Sequence, residues 1–147
     1  MEVRQVMSKN VRMVSPDDTI QKAASLMSEI DCGALPVTEN DRLEGMITDR
    51  DIALRAVAKG LDPKRCTVRE VMSPGIKYVF EDEDAESASQ NMSRLQVRRL
   101  PVLSRQKRLV GIVALGDLAA KHDSAAVGAT LRGISRPSAQ AAGGARA

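Results

Sequence analysis

Residues 3–18, VRQVMSKNVRMVSPDD, lie over residues 68–83, VREVMSPGIKYVFEDE, without a gap. The constant offset of 65 also places ALPV (34–37) over RLPV (99–102). One residue is then inserted in the second copy, and RLEGMITDRDIA (42–53) aligns with RLVGIVALGDLA (108–119) at an offset of 66. Identical pairs include Val6/Val71, Met7/Met72, Ser8/Ser73, Pro36/Pro101, Gly45/Gly111 and Asp51/Asp117. Agreement sustained over a whole unit denotes an internal duplication. Two copies are too few for a solenoid, which needs three or more, and each half alone buries little surface. The expected solution is a closed pair of halves packed about a pseudo-twofold axis.

Within the first copy the periods are legible. VRMVS (11–15) reads as a strand, and SPDD supplies a turn and cap before a helix over 19–30. Ile20, Ala23, Met27 and Ile30 fall on one face of that helix. ALPVT and LEGMIT read as strands joined by the turn ENDR, and a second helix runs from near Asp49 to about Lys59, stopped by Gly60. The second copy repeats the order with IKYVF, a helix over 84–95, RRLPVLS, RLVGIVA and a helix over 115–121. The expected fold is α/β (α+β), two repeats of β-α-β-β-α type. The expected limits are 1–60 and 67–123, with a linker at 61–66. Residues 124–147 are expected to hold a short amphipathic turn around Val127, Leu131 and Ile134, then a disordered Ala- and Gly-rich tail.

Composition narrows the function classes. Of 147 residues, 43% are apolar, yet Tyr78 and Phe80 are the only aromatics, so the core is aliphatic. With 22 basic and 19 acidic residues the chain lacks the field of a nucleic-acid binder. Arg98, Arg99, Arg105, Lys107 and Arg108 form a local basic patch, but without nearby aromatics for base stacking nucleic acid is not an expected partner. Cys32 and Cys66 lack metal-ligand spacing and read as reduced, partly buried thiols. His122 is the sole histidine and reads as a surface residue at a helix end. Asp17, Asp18, Asp82, Glu83 and Asp84 read as helix-start acids, so no metal site is expected. The sequence shows no paired nucleophile and base and no phosphate-cradling glycine loop, so it is not expected to be an enzyme. With no secretory leader and no apolar run near the roughly 18 residues of a membrane span, a cytoplasmic location is expected.

CGALPV (32–37) with VRRLPV (97–102), GMITDRDIA (45–53) with GIVALGDLA (111–119), and the paired VMS starts resemble a tandem pair of CBS domains, also called a Bateman module. The resemblance covers roughly 3–121 and is to the small stand-alone members, hypoxic-response-type proteins included. It implies a regulator or sensor that binds an adenosine-containing ligand (AMP, ADP, ATP, NAD or S-adenosylmethionine) between the repeats, needs no catalytic cofactor and signals to a partner protein. The alternative is a ligand-free dimeric scaffold.

Thr48 and Asp51 stand three residues apart at a helix start, where two readings are open. Thr-x-x-Asp has the form of a capping box. Equally, a carboxylate can accept both hydroxyls of a ribose, with Thr48 adding a hydroxyl bond and Arg50 a countercharge. In the second copy Ala114 replaces Thr48 while Asp117 remains, a pattern that leans toward the ribose acceptor.

In the family the sugar-binding end of one repeat faces the first two strands of the other. The resemblance thus implies a first nucleotide site of Thr48, Arg50, Asp51, Ile76, Lys77, Arg98, Arg99 and Pro101. It implies a second, weaker site of Val11, Arg12, Cys32, Gly33, Ala34, Pro36 and Asp117. Gly33 is expected to serve backbone geometry or to let a base approach. Finally, IALRAVA (52–58) is apolar on most sides save Arg55, which reads either as contacts on two faces, one of them with another subunit, or as a fully intramolecular core; the family resemblance implies a homodimer.

Overall fold

The computed structural model describes residues 1–73, 75–121 and 131–135. After a short 3-10 turn at Val3–Gln5, helix α1 (Ile20–Ile30) starts where the Thr19 hydroxyl accepts a hydrogen bond from the Lys22 N–H. It ends at Asp31, in the left-handed conformation. Strands β1 (Ala34–Glu39) and β2 (Arg42–Thr48) form an antiparallel hairpin. Its two-residue turn, Asn40 and Asp41, has positive φ at both positions, as a tight hairpin requires. Helix α2 (Asp49–Ile52) runs into a π-helical turn, Ala53–Val57, and the chain reverses at Gly60, φ +70°. The second copy follows as α3 (Val68–Val71), β3 (Val79–Phe80), α4 (Ala85–Leu95), β4 (Arg99–Leu103), β5 (Leu109–Ala114) and α5 (Leu115–Lys121). The fold is α+β.

The leading strands are shorter than the sequence predicts, and prolines explain it. Val14 donates to Pro36 O and accepts from Thr38 N–H, but the next rung would need an N–H that Pro36 lacks. Pro16 ends the ladder on the other side for the same reason. VRMVS is thereby reduced to one parallel bridge, Val14 with Val37. In the second copy Pro101 blocks the rung before Val79. Glu81 replaces Pro16 and donates to Leu103 O, so a two-residue β3 survives. Residues 10–12 and 75–77 are thus kept out of the sheets and left to line the space between the repeats.

The cores do not follow the sequence repeat. One groups Val14, Ile20, Ala23, Leu35, Val37 and Ile47 with Val68 and Val71 from the start of the second copy. The other groups Val79, Ala88, Met92, Leu100 and Val113 with Val3 and Val6 from the start of the first. Each copy therefore lends its leading segment to the other. Each of these four valines is at most 1% exposed, and full burial of such a side chain contributes about 1.5–3 kcal/mol. Four bridges fasten the exchange, Glu2 to Asp84 and Ser8 to Ile112 for the first leading segment, Thr19 to Thr67 and Met46 to Ser73 for the second. From the stretch 131–135, Ile134 packs on the second core. Val127, His122 and the tail from 136 onward lie outside the described residues.

Candidate functional site

The alternation of β2 buries Leu43, Gly45 and Ile47 and turns Met46 and Thr48 to the other side. There they border a cavity of about 480 Å³ whose opposite wall is Lys77, Val97, Arg98, Arg99, Leu100 and Pro101 of the second copy. Ala34, Ser73 and Gly75 complete it. Of the first predicted site, Thr48, Lys77, Arg98, Arg99 and Pro101 thus come together. Lys77, Arg98 and Arg99 are exposed. No carboxylate pairs with any of the three among the described residues.

Three members are placed differently. Ile76 lines another cavity, because alternate residues of the 75–78 segment face opposite ways. Arg50 is exposed and does not line the cleft. Asp51 is 8% exposed and stands behind Ser73, whose hydroxyl lies 3.4 and 3.5 Å from its two oxygens. Its own role is structural in part. The Thr48 hydroxyl accepts from Asp51 N–H, and Asp51 Oδ2 accepts from Thr48 N–H, each at 3.0 Å. Arg55, the one charge in IALRAVA, donates to the carbonyls of Val71 and Met72 at 3.3 Å and approaches Asp51 at 4.0 Å. It ties α2 to the crossing segment that carries Ser73.

A second cavity, about 370 Å³, is lined by Asn10, Val11, Arg12, Ile30, Cys32, Ala34, Leu35, Pro36 and Ile112. Most of these are the repeat counterparts of the first cavity: Asn10 for Gly75, Arg12 for Lys77, Cys32 for Val97, Ala34 for Arg99, Pro36 for Pro101 and Ile112 for Met46. The duplication has built two clefts, and cations have accumulated in one. Arg12, the sole cation of the second, approaches Glu29 at 3.9 Å. Of the residues named for the second site, Val11, Arg12, Cys32, Ala34 and Pro36 line this cavity, whereas Gly33 and Asp117 do not. Gly33 abuts Asp49: an added Cβ would sit 2.7 Å from its carboxylate. Asp117 Oδ2 accepts from the Ala114 N–H at 2.9 Å, so it caps its helix without the hydroxyl. The missing Thr therefore does not argue against a cap.

A model of the CBS domain matches residues 3–57 and 68–122. The chain belongs to the CBS domain family. Over 134 residues, 90% of this chain and 94% of the other, it is 48% identical to the CBS domain-containing protein YhcV of Bacillus subtilis (strain 168). Its fold is similar to the crystal structure of Hypoxic Response Protein I with two coordinated zinc ions, with TM-score 0.77 and 40% identity over 84% of this chain and all of that one. It is also similar to the CBS domain pair of protein MJ0100 in complex with 5′-methylthioadenosine and S-adenosyl-L-methionine, with TM-score 0.71 and 27% identity over 82% of this chain and 98% of that one. In this CBS pair, no group of three or more His, Cys, Asp or Glu among the described residues is arranged to hold a metal ion. Nor is any helix among them long and apolar enough to cross a membrane.

Sequence reasoning missed Ser73, Gly75, Met46, Val97 and Leu100 in the first cleft. Signals pointed to two of them: Ser73 repeats Ser8 in the paired VMS starts, and Met46 lies one strand period before Thr48. The predicted basic patch is divided. Arg98 and Arg99 face the cleft, Arg108 pairs with Asp41 at 3.0 Å, and Arg105 pairs with Asp82 at 2.8 Å. Arg105 also stacks 4.1 Å from the Phe80 ring centre, so the patch does have an aromatic neighbour, one already covered by the protein's own cation. Away from the clefts, burial pushes the Cys66 thiol up, while the Thr67 N–H and the Cys66 thiol hold the Glu70 carboxyl below its usual range.

Proposed function

We propose that this CBS pair is a regulatory sensor, not an enzyme, that binds an adenosine-containing ligand of the AMP, ADP, ATP, NAD or S-adenosylmethionine class in the first cleft. The observation that carries the reading is the unpaired set Lys77, Arg98 and Arg99 facing an apolar wall of Met46, Val97 and Pro101. A flat base suits the apolar wall, and phosphate or carboxylate oxygens suit the cations. Thr48 accepts one hydrogen bond in the cap but keeps its own O–H to donate to a ribose oxygen. Asp51 becomes available on that side once Ser73 turns away. The similar MJ0100 pair with two adenosine-containing ligands supports the same class. The ligand acts on a partner protein by stabilising one arrangement of the interlocked repeats over another.

Self-association through the α2 region belongs to the same reading. Leu54, Val57 and Leu61 are 50%, 68% and 42% exposed, an apolar face that a second copy would cover. With Arg105 and Arg108 neutralised, nucleic acid is not a proposed partner.

A ligand-free dimeric scaffold is favoured by one observation, that Asp51 and Asp117 both already cap backbone N–H groups. Calorimetry with AMP, ADP, ATP, NAD and S-adenosylmethionine separates the two. Saturable heat that Asp51→Ala and Arg99→Gln reduce supports the sensor. Flat titrations at millimolar ligand, with dimerisation intact, replace it by the scaffold.

A further inference from the structure

We propose that a groove on the reverse side of the 75–78 segment is a separate binding site for a small organic monoanion with an aryl or branched apolar body. The groove, about 390 Å³, is lined by Arg42, Leu43 and Glu44 of β2, by Ile76 and Tyr78, by Leu103, and by Lys107 of the second hairpin turn. Its floor is apolar: Leu43 and Leu103 are buried, and Ile76 is 48% exposed beside them. That exposure of a branched aliphatic residue is removed by a ligand body of the same character.

Arg42 and Lys107 outnumber the one carboxylate lining the groove, Glu44. Arg42 bridges Arg108 through the backbone, and the Arg108 guanidinium is taken by Asp41. Neither Arg42 nor Lys107 has an ion-pair partner among the described residues. Like charges gathered beside an apolar floor repel, and a bound anion relieves that repulsion. Glu44 on the same wall sets the limit, since its carboxylate disfavours a polyphosphate while leaving room for a single negative head.

The aromatic wall is held in place before any ligand arrives. Tyr78 meets Phe80 edge-on, with centroids 5.3 Å apart at 83°. Phe80 lies under Arg105, which Asp82 anchors. A wall fixed in this way loses little freedom on binding. The first copy has no equivalent, because Met13 stands in place of Tyr78 and Lys107 belongs to the turn lengthened by the inserted residue. The groove is thus a feature of the second copy alone. It shares no lining residue with the first cleft and does not depend on what that cleft binds.

The test is an amide NMR titration of the full chain with phenylacetate, using acetate and benzyl alcohol as probes that carry only the head or only the body. Saturable shifts are expected at Arg42–Glu44, Ile76, Tyr78 and Lys107. Acetate and benzyl alcohol are expected to bind at least about tenfold more weakly, a difference of about 1.4 kcal/mol. Arg42→Gln and Lys107→Gln, both exposed and compatible with folding, should each weaken phenylacetate about threefold or more. No saturation at millimolar phenylacetate, equal response to acetate, or shifts confined to Thr48, Lys77, Arg98 and Arg99 would each overturn the proposal.

Discussion

Thr48 and Asp51 bond to each other's backbone N–H groups, both at 3.0 Å, so Thr48, which lines the first cleft, and Asp51, which stands behind Ser73, together start α2. One substitution separates the two roles. Asp51→Asn retains a side-chain oxygen for the Thr48 N–H but loses the charge. It should cost no more than about 1 kcal/mol in urea unfolding, the scale of a charge at a helix start, while weakening any ribose-bearing ligand about tenfold or more. Asp51→Ala should lose about 0.5–2 kcal/mol as well. Unchanged affinity in Asp51→Asn would leave the carboxylate with the cap alone.

The crossed segments make two glycines sensitive. A Cβ on Gly45 would sit 2.6 Å from the Ser73 carbonyl oxygen, and one on Gly111 would sit 2.5 Å from the Met7 sulfur and 2.9 Å from the Ser8 carbonyl oxygen. Gly45→Ala and Gly111→Ala should each destabilise by about 1–3 kcal/mol in thermal or chemical unfolding. Gly116→Ala meets nothing within 4 Å in α5 and should instead stabilise by about 0.5–1 kcal/mol.

Hydrogen bonding from Arg105 holds the Asp82 carboxyl below its ordinary value of 3.8. A carboxyl lowered on folding adds stability above its unfolded value and loses it as pH falls through the lower folded value. The stability difference between the native chain and Arg105→Gln should therefore be widest near neutrality and narrow below about pH 4. A remainder from the Phe80 stacking should persist in acid. A gap of constant width from neutral to acid pH would show that the ion pair contributes nothing.

Leu54→Glu with Val57→Glu places two carboxylates on the exposed α2 face. If a second copy covers that face, light scattering should report a shift to monomer with the fold intact by circular dichroism. An unchanged mass would put the interface elsewhere.

The two thiols should differ in rate. Cys66 is buried and pushed above its ordinary value of 9.0, chiefly by burial, whereas Cys32 is half-buried at the second cleft. At pH 8 an alkylating reagent should therefore modify Cys32 first, by about tenfold or more. Equal rates would mean that the first core opens readily at Cys66.

Much of the fold is legible in the residues because its signals are local. Thr19, Asp84 and Gly60 mark helix ends through their own side-chain or backbone chemistry, and Asn40–Asp41 marks the hairpin. The site was legible in part. The family resemblance, laid on the repeat register, set Lys77, Arg98, Arg99 and Pro101 opposite Thr48, and these residues line one cavity. Ile76, carried over with its neighbour Lys77, lines a different cavity because alternate residues of an extended segment point to opposite sides. Asp117 was misjudged because a carboxylate can cap an N–H without a hydroxyl partner, which the three-residue spacing does not reveal.

The sequence by itself determined the duplication, the α+β order of elements, the CBS family and the unequal charge of the two clefts, since each depends on residue identity and register. Only the tertiary structure decided that Val3 and Val6 complete the second core while Val68 and Val71 complete the first. An apolar pattern states that a face must be buried but not by which partner, because hydrophobic burial carries no direction. That exchange places Ser73 between Asp51 and the cleft, and the missing N–H groups of Pro36 and Pro101 keep the walls of both clefts open.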